Sequence, residues 1–246
     1  MSHLGGHTDK TNIDEGLLNY LIKKYKINSF LDIGCGLGGV VKIMKEKGID
    51  AKGLEGDLNA IESSLVKDNI EKIDFSKIGF SSKKKFDLGY SCEVLEHIDE
   101  IYIDNIMSAF KACKIIVMTA APPKWPGHHH VNCRNHEYWI KMFNKYNFYH
   151  YPYETEMCRN NSTMNHKKKN NKKFMKHRLL FFINADLIKI NTFNILNIQP
   201  EKITENTLII SNKYSDKHIK KNDTNTVTNT NGHLFKSTIP TVSFIK

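Results

Sequence analysis

Three glycines and one acid have a spacing that could bind a nucleotide. Gly34, Gly36 and Gly39 follow the apolar segment Ser29–Ile33, and Glu55 comes about 20 residues after the first glycine. A glycine turn between a strand and a helix lets the backbone approach a ligand closely, and an acid after the next strand can bind ribose hydroxyls. This pattern alone fits a dinucleotide such as NAD as well as other adenosine compounds.

Two further acids favour a cationic ligand over a dinucleotide. Asp32 precedes the first glycine by two residues, where its charge would repel a pyrophosphate but would suit an ammonium or sulfonium group. Asp74 could accept a hydrogen bond from an adenine amino group, with Phe75 as an apolar neighbour of the ring. An NAD-dependent oxidoreductase therefore becomes the alternative interpretation.

A second set of residues could bind a metal ion or move a proton. Glu93, Glu96 and His97 stand at i, i+3 and i+4, so their side chains would share one face of a helix that included Glu93. Together with His130 they would form a site for Mg²⁺, Mn²⁺ or Fe²⁺, and a bound ion could lower the pKa of an acceptor hydroxyl. His97 and His130 are also the catalytic candidates. In the competing interpretation the acids only stabilise a helix N-terminus.

The segments that would position these residues alternate between strand and helix. Apolar patterns and turn signals predict strands at 29–33, 51–54, 70–73, 86–90, 114–118, 148–157 and 179–183. Helices are predicted at 15–26, 40–47, 58–66, 94–112 and 137–146. This alternation predicts an α/β fold with a Rossmann-like, open, mostly parallel seven-stranded sheet and helices on both faces.

In order and spacing these motifs resemble the class I S-adenosylmethionine-dependent methyltransferases. The resemblance covers roughly residues 28–150 and rests on the segments 31–38, 53–57 and 86–97, with Asp74 between the last two. It implies that the glycine turn holds the methionine part of the cofactor, that Glu55 holds the ribose and that Asp74 contacts adenine. The family usually has Asp where Glu55 stands.

The resemblance also implies a full set of site residues. The predicted contacts of S-adenosylmethionine are Asp32, Gly34, Cys35, Gly36, Gly38, Glu55, Gly56, Asp74, Phe75 and Ser91. The predicted metal ligands, Glu93, Glu96, His97 and His130, resemble the metal site of small-RNA 3′-end 2′-O-methyltransferases and of some quinone-pathway O-methyltransferases. The glycine-containing segment 3–7 is expected to fold as a lid over the end of the sheet where a substrate would reach the cofactor.

Composition constrains the partners. The chain has 246 residues, a formal net charge of +10 and a pI near 9.2, which favours an anionic partner. Much of the charge lies between Lys167 and Arg178, so this run predicts contact with nucleic acid. Five scattered cysteines without a Cys-x-x-Cys pair indicate reduced thiols. The chain lacks a long apolar run, so we expect a cytoplasmic protein without a membrane segment.

The sequence divides into two regions. Residues 1–184 are predicted to form the methyltransferase domain, and residues 185–246, rich in Asn, Ile, Thr and Lys, an extension that is partly disordered. The acceptor could be RNA, a nucleotide or a small molecule methylated on oxygen. A non-catalytic module that binds S-adenosylmethionine is a further alternative.

Overall fold

The computed structural model describes Leu4, residues 12–164 and 174–187, and the backbone of two short strands further on. The strands of the main unit are β1 Ser29–Ile33, β2 Asp50–Glu55, β3 Ile70–Lys72, β4 Phe86–Cys92, β5 Cys113–Thr119, β6 Phe148–His150 and β7 Leu180–Asn184. The helices are α1 Glu15–Tyr25, α2 Gly39–Glu46, α3 Leu58–Glu62, α4 Ile103–Phe110, α5 His136–Asn144, α6 Pro152–Asn161 and α7 Phe174–Arg178.

The seven strands form one sheet in the order β3-β2-β1-β4-β5-β7-β6. Strands β1 to β5 pair in parallel, and β7 is antiparallel to both β5 and β6. The predicted open, mostly parallel seven-stranded sheet is therefore confirmed. The order reverses between β1 and β4, and ligands of open α/β sheets bind in the crevice at such a reversal.

The central strands are apolar because both of their faces are covered. All of β5 except Lys114 is buried, and the rings of Phe143 on α5 and Phe182 on β7 stack with centroids 4.4 Å apart. Near-continuous apolar runs are typical of strands that carry helices on both faces. This core fixes the ends of β1 and β4, which carry the candidate site.

Two predicted elements are wrong. Residues 94–112 do not form one helix: the 3₁₀ turns Leu95–His97 and Glu100–Tyr102 precede α4, and the Asp99 side chain accepts a hydrogen bond from the Ile101 amide at 3.1 Å. Residues 148–157 are not one strand, because β6 ends at His150 and α6 begins at Pro152. Proline lacks an amide hydrogen and suits the first turn of a helix. Helix α3 also ends at Glu62, before the predicted 66.

The predicted extension 185–246 falls almost entirely outside the described residues. Within it, the strand Val227–Thr228 pairs antiparallel with Leu234–Phe235. Among the described helices, none combines the length and the apolar character that a membrane crossing needs.

Candidate active site

The glycine turn after β1 is held in a conformation that side chains disfavour. Gly34, Gly36 and Gly38 have φ values of +76°, +54° and +72°, in the left-handed region that favours glycine. The amides of Gly34 and Cys35 donate to the Leu54 carbonyl at 2.9 and 3.0 Å, which ties the turn to β2. A side chain at Gly34 would also meet Val94, since an added Cβ would lie 2.5 Å from its methyl group.

Glu55 fixes this turn from the end of β2. Its carboxylate accepts hydrogen bonds from the amides of Gly36, Gly56 and Asp57 at 2.7, 2.8 and 2.9 Å. The side chain is buried, and a carboxylate that accepts several amide donors is well stabilised as an anion. Glu55 therefore shapes the glycine turn as well as lining the cavity beside it.

Asp32 lies on β1, two residues before the first glycine of the turn. Its side chain is 3% exposed, and burial together with the nearby Glu55 charge raises the pKa of Asp32 to about 8. A buried carboxylate without a cation is costly. The site therefore favours a positively charged ligand beside Asp32.

Asp74 and Phe75 follow β3 and line the same cavity as Glu55. The Asp74 carboxylate accepts from the Ser76 amide at 3.0 Å and pairs with Lys77 at 2.9 Å, and Phe75 is 5% exposed. Leu4 from the N-terminal segment also lines the cavity here, and its methyl group would lie 2.7 Å from a Cβ added at Gly56. The remaining residues of the segment 3–7 lie outside the described part of the chain.

The acceptor cluster, which we define as Glu96, His97 and His130, lies beyond the end of β4. One ligand atom from each residue lies within 4.8 Å of the others. The Glu96 carbonyl accepts from the amides of Val131 and Asn132, both at 3.0 Å, so the loop that carries His130 is bound directly to the turn that carries Glu96. This contact explains how residues far apart in sequence meet.

Hydrogen bonds set the tautomers of the two histidines. His97 Nδ1 donates to the His128 carbonyl at 2.8 Å, and His130 Nδ1 donates to the Trp125 carbonyl at 2.9 Å. In the neutral form of either ring, Nε2 therefore carries the lone pair, as in metal-binding histidines. Burial and the neighbouring His130 lower the pKa of His97 to about 4, so His97 is neutral at pH 7.

The cluster has one buried acceptor without a hydrogen-bond partner among the described residues. Glu96 is fully buried, its Oε1 accepts from the Ala121 amide at 3.0 Å, and its Oε2 has no hydrogen-bond partner within the described part of the chain. Burial and the nearby Glu93 charge raise the pKa of Glu96 to about 8. Because a buried carboxylate oxygen needs a donor or a cation, the residues present fit a divalent ion.

Glu93 does not share a helical face with Glu96 and His97, as the spacing predicted. It has a φ of +58°, outside any helix, and its carboxylate pairs with Arg178. The premise that Glu93, Glu96 and His97 share one helical face therefore fails, because the backbone turns at Glu93. Glu93 still lines the cavity.

One cavity of about 560 Å³ joins the glycine turn to the acceptor cluster. Eight of the ten residues predicted to contact the cofactor line it: Asp32, Gly34, Cys35, Gly36, Glu55, Gly56, Asp74 and Phe75. Gly38 does not line it, and a Cβ added at this residue would meet Val66 and Ile70. Ser91 is buried and donates to the Ile33 carbonyl at 3.0 Å.

Sequence reasoning missed three aromatic residues of this cavity: Tyr90 on β4, Trp125 and Phe174. Trp125 and Phe174 line it together with the acceptor cluster. Trp125 stands between Lys124 and Pro126 in the loop after β5, where an aromatic residue flanked by proline was the available signal. Phe174 carried no signal, because it follows a basic run whose position in space cannot be read from spacing.

Comparison with known proteins identifies the class. Residues 7–153 match the model of the methyltransferase domain family. Since the match spans more than half of the chain, the protein belongs to the methyltransferase domain family, and the resemblance seen in the sequence is confirmed. A search of curated proteins found no match.

Three solved methyltransferase structures are similar to part of the chain. An S-adenosylmethionine-dependent methyltransferase from Archaeoglobus fulgidus is 21% identical, with a TM-score of 0.44 over 54% of this chain and 66% of that one. Magnesium protoporphyrin IX methyltransferase from Synechocystis PCC 6803 is 14% identical, with a TM-score of 0.48 over 70% and 77%. A TehB-like methyltransferase from Corynebacterium glutamicum is 16% identical, with a TM-score of 0.46 over 57% and 76%. These three scores are below 0.5, so the family assignment rests on the sequence match.

Proposed function

We propose that this methyltransferase binds S-adenosylmethionine at the glycine turn and transfers its methyl group to a hydroxyl oxygen held at the acceptor cluster. The observation that carries the proposal is the single cavity that joins the two ends of the site. A donor and an acceptor bound in one cavity can reach the close, aligned geometry that methyl transfer needs. The direct test is transfer of label from radiolabelled S-adenosylmethionine to pools of RNA, nucleotides, proteins and small molecules.

The cofactor end suits a cation better than a pyrophosphate. Asp32 is a buried acid beside the glycine turn. Once ionised, it would repel the phosphates of NAD but would attract the sulfonium or ammonium group of S-adenosylmethionine. The NAD alternative predicts the opposite preference, which calorimetry with the two cofactors would detect.

The acceptor end supplies groups that hold a hydroxyl and receive its proton. In methyl transfer the acceptor oxygen attacks the methyl carbon in line with the carbon–sulfur bond, and the sulfur leaves with the bonding electrons as S-adenosylhomocysteine. The hydroxyl proton passes to a base. When no ion is bound, Nε2 of His97 or of His130 can receive it; when these atoms bind an ion, the proton leaves to solvent. A non-catalytic module would need none of these groups.

A divalent cation is part of this proposal, with Glu96, His97 and His130 as its ligands. The close grouping of one ligand atom from each residue supports it, as does Glu96 Oε2, which has no hydrogen-bond partner among the described residues. Two imidazoles with one carboxylate suit Mn²⁺, Fe²⁺ or Mg²⁺. Such an ion would hold the acceptor oxygen and lower the pKa of its hydroxyl. Glu93 is outside this group of three: one of its oxygens pairs with Arg178, and the other is buried without a hydrogen-bond partner among the described residues.

The acceptor could be nucleic acid or a small molecule. The net charge of +10 supports nucleic acid, although Lys167, Lys168, Lys169, Lys172 and Lys173 lie outside the described residues. Phosphate contacts make affinity fall steeply with salt. RNA binding that is absent at low salt, or that survives neutralisation of these five lysines, would count against the nucleic-acid acceptor and favour a free hydroxyl compound.

Cofactor binding is expected to release a proton at pH 7. Asp32 is largely protonated in the free enzyme because its pKa is about 8, and a bound sulfonium or ammonium would lower that pKa. Affinity should therefore rise with pH, by up to about tenfold per pH unit, and level off above pH 8, where Asp32 is already ionised without ligand. Calorimetry in buffers of different ionisation enthalpy measures the released proton. Asp32→Asn should abolish the release, and a buffer-independent enthalpy for the wild type would exclude this role.

Gly127→Ala is expected to disturb the acceptor cluster and leave cofactor binding intact. An added Cβ would lie 2.1 Å from His130 Nε2, so the imidazole must move. The affinity for Mn²⁺ should fall by at least about tenfold, as measured by calorimetry or electron paramagnetic resonance. Since Gly127 has no positive φ, the alanine adds no backbone strain.

A double-mutant cycle controls this prediction. If Gly127→Ala acts through His130, it should cause little further loss of Mn²⁺ affinity in a His130→Ala background. Losses that simply add would show that Gly127 acts by another route.

A further inference from the structure

Trp125 presents part of its indole ring to the acceptor end of the cavity. The residue is 50% exposed, whereas Trp139 is buried in the core. Trp125 lines the same cavity as His97 and His130. A large exposed aromatic side chain inside a cavity offers apolar area and a π-face to a ligand.

The loop that carries Trp125 is held in place. The Trp125 amide donates to the Pro122 carbonyl at 3.1 Å, and the Trp125 carbonyl accepts from His130 Nδ1 at 2.9 Å. Proline at positions 122, 123 and 126 further restricts the backbone. The backbone at Trp125 is therefore bound to His130 before a ligand arrives, which reduces the entropy lost on binding.

Arg178 covers one part of the indole. Its guanidinium carbon lies 4.2 Å from the Trp125 ring centroid, and the same group pairs with Glu93 at the end of β4. Arg178 is 8% exposed, so it serves as a support inside the protein. Phe174, whose ring centroid lies 5.9 Å from the guanidinium, adds a second aromatic wall to the cavity.

We infer that the exposed part of Trp125 stacks against a flat aromatic ring of the methyl acceptor and holds the acceptor hydroxyl beside Glu96, His97 and His130. This inference rests on the proposed function and adds the chemical class of the acceptor. A guanidinium on one side of the indole and an aromatic ligand on the other make a continuous stack, which is favourable without reading a particular ring. The ring could be a nucleobase at the end of an RNA or a free phenolic compound.

Fluorescence with two pairs of probes tests this subsite. S-adenosylhomocysteine at saturation first blocks the cofactor end, so that nucleobases cannot bind there. The probes are a ribotrinucleotide and the same oligomer with an abasic 3′ end, and catechol with cyclohexane-1,2-diol as its non-aromatic match. Aromatic probes should quench the emission of Trp125, and the quenching should persist in Trp139→Phe, since Trp139 is buried and its Nε1 has no hydrogen bond within the described residues to lose.

Variants of Trp125 decide between stacking and simple apolar burial. Trp125→Leu should weaken the binding of the aromatic probe by at least about tenfold, measured by calorimetry, and Trp125→Phe should retain most of it. Discrimination limited to the trinucleotide pair would identify a nucleobase, and discrimination limited to the catechol pair would identify a free aromatic acceptor. No quenching by either aromatic probe, or equal affinities for wild type and Trp125→Leu, would overturn the inference.

Calorimetry with S-adenosylmethionine separates this result from the proposed function. All Trp125 variants should bind the cofactor as the wild type does, because Trp125 lies at the acceptor end. A wild type that fails to bind S-adenosylmethionine would refute the proposed function, whereas normal cofactor binding without aromatic binding would refute only the stacking subsite.

Discussion

Removal of divalent metal with EDTA is expected to lower the rate of methyl transfer by at least about a thousandfold, with recovery on addition of Mn²⁺ or Mg²⁺. The reason is the charge at the acceptor cluster. Glu96 is buried with one oxygen that has no hydrogen-bond partner among the described residues, and its pKa of about 8 leaves it largely protonated at pH 7 when no ion is bound. Without the proposed ion, the cluster therefore offers no positive charge to stabilise the alkoxide that forms as the hydroxyl proton leaves.

Two substitutions attribute the effect to the cluster. Glu96→Gln keeps an oxygen that can accept from the Ala121 amide but removes the charge, so it should reproduce the loss of activity and weaken Mn²⁺ binding while S-adenosylmethionine still binds. Glu100→Gln is the matched control, because Glu100 is exposed, pairs with Arg134 and does not line the cavity. Full activity after exhaustive chelation, with metal-free protein verified by elemental analysis, would refute the metal.

The residues that line the cavity at the glycine turn were predictable because they follow consecutive strands of one parallel sheet. In-register pairing of Asp32 with Gly53 and of Glu55 with Lys72 brings the ends of β1, β2 and β3 together, so strand order alone placed these motifs at one edge. The motifs did not reveal that Gly38 and Ser91 lie outside the cavity lining, since a motif does not show which way a residue faces. Gly38 is the N-cap residue before α2, and the Ser91 hydroxyl donates a hydrogen bond to the Ile33 carbonyl.

The acceptor end depends on contacts that spacing does not encode. The i, i+3, i+4 pattern of Glu93, Glu96 and His97 suggested a helix, but Asp99 starts a new turn there and Glu93 adopts a positive φ. The carboxylate of Glu93 then pairs with Arg178, which a sequence view places only in a basic run. The partnership of Glu96 with His130 was recovered from residue chemistry, although its cause, the hydrogen bonds from Val131 and Asn132, is tertiary.

Gly36→Ala is expected to abolish binding of S-adenosylmethionine while leaving the fold intact. The Gly36 amide donates to Glu55 Oε2 at 2.7 Å, and Gly36 lines the cavity at the turn that the cofactor must approach. An added methyl group would disfavour the φ of +54° at which this amide reaches Glu55, and would therefore change the shape of the turn that lines the cavity. We expect the Kd, measured by calorimetry, to rise by at least about a hundredfold, since several contacts are lost together.

Gly48→Ala separates loss of the ligand site from loss of stability. Gly48 has a φ of +77°, and an added Cβ there would meet no atom within 4 Å. Alanine at either position should lower the free energy of unfolding by a similar amount, about 1 to 2 kcal/mol, because each substitution places a side chain in the left-handed region. Only Gly36→Ala should lose the cofactor, since Gly48 follows α2 and does not line the cavity. Equal Kd values for the two variants at matched melting temperatures would mean that the cofactor does not bind at this turn.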